Sequence, residues 1–118
     1  MSITDDDFWI FSGYPGHFIG AASCKFHLTT FVNRGTWMVS TVGDYRPSYD
    51  DRSAMSLLGV DDESYFETMV FPTRRDSSSS FPTVIDWVEE ETRWYSNHAE
   101  ATNGHIDLCR KYHSITRG

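Results

Sequence analysis

With 118 residues the chain is one domain by length, enough for a single core. An aromatic content of 15% excludes a disordered chain, and a net charge of −7 excludes general affinity for nucleic-acid backbones, which Lys and Arg must neutralise. Cys24 and Cys109 match no metal spacing and read as buried free thiols of a reducing compartment.

The start is acidic (Asp5, Asp6, Asp7), the reverse of a basic leader, and no apolar run approaches the roughly 20 residues of a membrane span. A soluble intracellular protein is expected. Residues 1–7 are polar and expected to fray. Phe8-Trp9-Ile10-Phe11 is an apolar anchor, and Ser12-Gly13-Tyr14-Pro15-Gly16 has the residues of a turn. Residues 1–25 therefore read as an N-terminal arm. From Phe26 to Val32 and from Thr36 to Val42, β-forming residues alternate between two faces, joined by Asn33-Arg34-Gly35, where glycine suits a left-handed position. This pattern predicts a hairpin.

A long connection over 44–64 holds Pro47, Asp50, Asp51, Asp61, Asp62 and Glu63, with Met55, Leu57, Leu58 and Val60 as its apolar cluster. Tyr65 to Phe71 is too short for a helix before Pro72. As a strand it is apolar on both faces, which makes it the central one; Glu67 is the exception among bulky neighbours. Arg74 to Ser80 is a solvated, serine-rich loop, and Phe81 to Trp87 fits an edge strand because Pro82 is unsuited to a central one. Asn97 with Glu100 three residues on resembles a capping box opening a helix over 96–113. Ala101, His105, Leu108, Cys109 and Tyr112 share one face of it, and Gly104 permits close approach to the sheet. The expected fold is α+β: a three- to four-stranded antiparallel meander over 26–87, with the helix packed on one face. The other face would be covered by the arm or by self-association, so a homo-oligomer is expected.

Candidate chemistry is sparse. The five histidines are scattered, and His98 with His105 lacks a third ligand, so no metal and no cofactor are expected. Cys109 and His105 share a helix face without an oxyanion-forming turn beside them, which reads as core packing. Glu67 with Asp44 or Asp86 offers paired carboxylates in principle. Aromatic residues able to stack and arginines able to grip phosphate form the remaining inventory. The candidate ligand-binding residues are Trp37, Tyr45, Arg46 and Glu67, followed by Arg74, Arg75, Trp87 and His105. In a meander, Tyr45-Arg46 and Arg74-Arg75 fall at opposite ends of adjacent strands, so one shared site does not follow.

Ser40-Thr41-Val42-Gly43-Asp44-Tyr45, Tyr65-Phe66-Glu67-Thr68-Met69-Val70-Phe71, Asp86-Trp87, Gly104-His105 and Cys109-Arg110-Lys111-Tyr112 occur in that order. Over residues 26–112 this resembles a family of small, mostly uncharacterised bacteriophage proteins. The resemblance implies a phage or prophage origin and a compact α+β fold, and it transfers no catalytic residue; the host cytoplasm is the expected location. The expected function is therefore non-enzymatic: counter-defence by sequestering a nucleotide-derived signalling molecule. One alternative is an acidic inhibitor that occupies a basic site on a host nuclease or other defence protein. Another is a small hydrolase using Glu67.

Overall fold

The computed structural model describes residues 9–17, 19–46, 55–75 and 78–116. The expected fraying of residues 1–7, and Pro47, Asp50 and Asp51 of the long connection, lie outside the described residues. Strands β1 (Ile10–Ser12), β2 (Cys24–Val32), β3 (Trp37–Tyr45) and β4 (Phe66–Arg74) pair consecutively and antiparallel. Two further strands, β5 (Thr83–Val84) and β6 (Glu91–Tyr95), share the other edge of β4, and helix α1 (His98–His113) follows. The α+β class holds. The strand count is corrected from three or four to six, and the sheet extends past residue 87 into β6.

The missed strands lie at the sheet's margins, where one buried face suffices and the apolar signal is weak. β1 is a three-residue strip within the expected arm, and β6 mixes Glu91 and Arg93 with Trp94 and Tyr95. The expected edge strand over 81–87 shrinks to β5. β4 is central as expected, yet it continues through Pro72, which pairs with Trp37. Proline is tolerated because its amide side faces away from β3, at the gap between the end of β6 at Val70 and the start of β5 at Thr73. The Pro72 carbonyl, on that same side, accepts from Ile85 N at 2.9 Å.

The hairpin turn holds Asn33, Arg34 and Gly35 at φ of 52°, 60° and 76°, so three successive left-handed residues reverse the chain. Asn97 caps α1 by accepting from Glu100 N at 2.8 Å, while the Glu100 carboxylate reaches back to Ser96 N and Oγ. Leu108, Cys109 and Tyr112 pack on Val32, Trp37, Val39 and Val70. Each such large side chain contributes about 1.5–3 kcal/mol by leaving water. Gly104 admits the Tyr95 ring, against which any Cβ would collide.

A polar network lies within this layer. His105 is 2% exposed, with Nε2 2.8 Å from Thr30 Oγ1 and Nδ1 2.7 Å from Thr41 Oγ1. Thr41 in turn meets Thr68 Oγ1 at 2.6 Å, so both ring nitrogens are satisfied. Burial pushes the His105 imidazole down to about 4, which keeps it neutral near pH 7.

The opposite face of the sheet is covered piecemeal. Gly16 and Ala21 of the arm press on Val42, where a Cβ at Gly16 would collide, and Leu58 packs beside them. Further along, Phe31, Met38 and Phe71 form a second apolar group, flanked by Ile10, Met69 and Val84. The arm thus covers one half of this face, and the 81–88 segment partly covers the other.

Candidate functional site

Between those two covers lies a cleft of about 280 Å³. Phe31 and Met38 form its floor because alternate residues of β2 and β3 point away from α1. Ser12 and Tyr14 of the arm make one wall, and Phe81, Pro82, Thr83, Val84 and Trp87 make the other. Phe81 stacks on Phe31 with centroids 6.2 Å apart, and Trp87 sets its edge on Phe71 at 5.1 Å. Trp87 nevertheless remains 54% exposed and Phe81 43%. Large aromatic faces held in place but left in contact with water are what a flat ligand needs.

The arm wall is fastened by a partly buried clasp. Trp94 Nε1 can only donate, and it gives its proton to Glu67 Oε2 at 2.7 Å. His17 Nε2 lies 2.9 Å from Glu67 Oε1 and so carries the donated hydrogen; Nδ1 meets Ser40 Oγ at 2.9 Å. The His17 side chain is 1% exposed. Thr29 Oγ1 also donates to the Tyr14 carbonyl at 3.0 Å. Ser40, His17 and Glu67 are connected as in a catalytic triad, but Ser40 is fully buried in mid-strand, beyond reach of a substrate. Both Glu67 oxygens are engaged within the fold, which suits a positioning role.

The two ends of β4 stand about 26 Å apart at 3.3 Å per residue. Arg74 ends β4 and Arg75 follows it, where the turn containing Arg34 folds over the strand: Thr73 N and Oγ1 donate to the carbonyls of Thr36 and Gly35. A Cβ on Gly35 would stand 2.8 Å from Arg75 Cγ and 2.9 Å from Pro82 Cγ, so the Arg75 stem lies beside the cleft wall. At the other end, Asp61, Asp62, Glu63 and Glu100 surround a cavity of about 330 Å³ beside Trp94.

The sequence-derived candidates separate accordingly. Trp87 lines the cleft, Arg75 and Arg74 stand at its end of the sheet, and Glu67 anchors its arm wall. Trp37 is buried, donating from Nε1 to the Ile115 carbonyl at 2.8 Å. His105 lies behind the sheet, on the helix side. Tyr45 packs against Ala21 and Val42. Arg46 Nε donates to Asp44 Oδ1 at 2.6 Å, and His98 Nε2 approaches the other Asp44 oxygen at 3.4 Å. That group belongs to the opposite end of β3. Burial raises the thiol of Cys109 to about 12 and that of Cys24 to about 11, so neither is a nucleophile near neutrality.

Phe31, Met38, Phe81 and His17 went unidentified as site residues in the sequence. Phe31 and Met38 carried a signal, their place on the strand face opposite Thr30 and Val39. His17 carried none, because its partner Glu67 is 50 residues away. Among the described residues no group of three or more His, Cys, Asp or Glu is arranged to hold a metal ion. No helix of the described residues is long and apolar enough to cross a membrane. No protein-family model, curated protein or solved structure matches the chain.

Proposed function

We propose that the protein is a non-enzymatic binding protein that sequesters a small, flat, anionic molecule of nucleotide type, in the service of phage counter-defence. The observation that carries this reading is the coincidence, on a chain of net charge −7, of an aromatic cleft with the end of the sheet that bears Arg34, Arg74 and Arg75. Aromatic faces supply sequence-tolerant stacking, and a guanidinium supplies a two-pronged grip on phosphate. The phage assignment rests on the sequence resemblance alone.

Calorimetry against nucleotides, cyclic nucleotides and ADP-ribose derivatives tests the reading. Saturable binding that disappears in Trp87→Ala is the expected result, and uniform silence would end it. Salt-sensitive capture of a host nuclease, with no small molecule retained, would favour the acidic-inhibitor alternative instead. Time-dependent turnover of a bound nucleotide, lost in Glu67→Gln, would favour the hydrolase.

A further inference from the structure

We infer that the cleft accommodates one mononucleotide, its base lying over Phe31 and Met38 between Tyr14 and the Phe81–Trp87 wall, its phosphate meeting Arg75 at the Gly35 end. This rests on the binding reading above and narrows it in size, orientation and selectivity.

Size comes first. At about 280 Å³ the cleft lies just below the range of about 300–1,000 Å³ that suits drug-sized ligands. One base with its sugar suits that space, whereas a cyclic dinucleotide brings two bases and a second phosphodiester for which a single cleft has no room. A folded protein partner is a poorer occupant, because a stable interface buries about 1,200–2,000 Å² and this concavity is enclosed by two walls.

Orientation follows from the ends of the cleft. Its body is apolar, so the charged group belongs at an end where a cation is within reach. Gly35 is the hinge of that geometry: with φ of 76° and no side chain, it lets the Arg75 stem and the Pro82 ring come together over one backbone position. An arginine there presents a planar fork to phosphate oxygens, a contact that lysine cannot reproduce in two-pronged form.

Selectivity follows from what the lining lacks. Beyond the Tyr14 phenol and the single Trp87 indole N–H, the polar side chains of the lining are Ser12 and Thr83, and Ser12 Oγ already accepts from Tyr14 N at 3.1 Å. Base edges are therefore read weakly, and stacking dominates, so purine and pyrimidine monophosphates bind alike.

The test is calorimetry of the full chain with adenosine, AMP, UMP and cyclic di-AMP, repeated on Arg75→Gln and Trp87→Ala. The expected result is one AMP or one UMP per chain, with similar affinities. Adenosine should bind about tenfold more weakly or worse, the loss expected when a charged hydrogen bond is removed. Arg75→Gln should bring AMP down to the adenosine level while leaving adenosine itself unchanged.

Equal affinity for adenosine and AMP, or AMP binding untouched by Arg75→Gln, would overturn the inference; the cleft reading would still stand if Trp87→Ala abolished binding. Cyclic di-AMP held one per chain and more tightly than AMP would overturn the size assignment. Silence from all four ligands would overturn the inference, and the binding reading would fall with it only if ADP-ribose derivatives were silent too.

Discussion

The two faces of this sheet are built by different rules. Under α1 the packing is continuous: Leu108, Cys109 and Val39 are fully buried, and the single histidine there has both nitrogens occupied. On the opposite face the cover is assembled from an arm, a loop and the 81–88 segment, with aromatic rings left half in water. A sealed face supplies stability and leaves nothing to bind. An incompletely closed face gives up some burial and keeps a concave surface. The difference teaches that stability and recognition are divided between the two sides of one β-sheet, with β4 serving both.

The sharpest way to break the comparison is to damage the sealed side. Leu108→Ala should cost about 2–5 kcal/mol in chemical denaturation, the range for a fully buried leucine whose site cannot collapse. Ligand affinity of the fraction that remains folded should be unchanged. A loss below about 1 kcal/mol would show that the helix face is not the source of stability.

Acid should act on the same side. The His105 imidazole stands at about 4 in the fold against an ordinary 6.5, so the unfolded chain binds the extra proton between those values. Stability is therefore complete above pH 6.5 and falls as pH drops toward 4, by up to about 3 kcal/mol at about 1.36 kcal/mol per pH unit. Denaturation midpoints measured from pH 7 to pH 4 should show that decline, and His105→Gln should lack this part of it.

The third effect falls on the open side. His17→Ala removes the hydrogen bond to a Glu67 carboxylate that is 11% exposed. We expect a loss of about 1–3 kcal/mol for a buried acceptor left short of a partner, together with weakened ligand binding as the Tyr14 wall loosens. Stability lost with binding unchanged would separate the clasp from the cleft.

The smallest stability effect should come from Trp87→Ala. A ring 54% exposed contributes little burial, so the change should be under about 1 kcal/mol, while binding falls by about tenfold or more.

Sequence reasoning reached the parts of this fold whose signals are local. The hairpin was legible from alternation around Asn33-Arg34-Gly35, and α1 from Asn97 and its spaced apolar residues. The interior position of β4 was legible from apolar residues on both faces. What escaped was non-local. β6 looks like surface because, besides Arg93 two residues on, Glu91 finds its partners Lys111 and Tyr112 on the helix, 20 and 21 residues away. The candidate site suffered most. Trp37 and His105 are functional-looking side chains spent on the core, whereas the cleft floor is made of Phe31 and Met38, which alternation marks only as lying on the face opposite Thr30 and Val39. Trp87 and Arg75 were found, but only the fold brings them to the same end of the sheet.

The central claim, that recognition belongs to the face opposite α1, is tested most directly by methyl NMR during titration with AMP. Met38 lies on the cleft floor and Leu108 is fully buried under the helix. The account predicts that the Met38 methyl resonance moves progressively to saturation while the Leu108 methyls stay fixed. Movement of the Leu108 methyls with Met38 unmoved would contradict it.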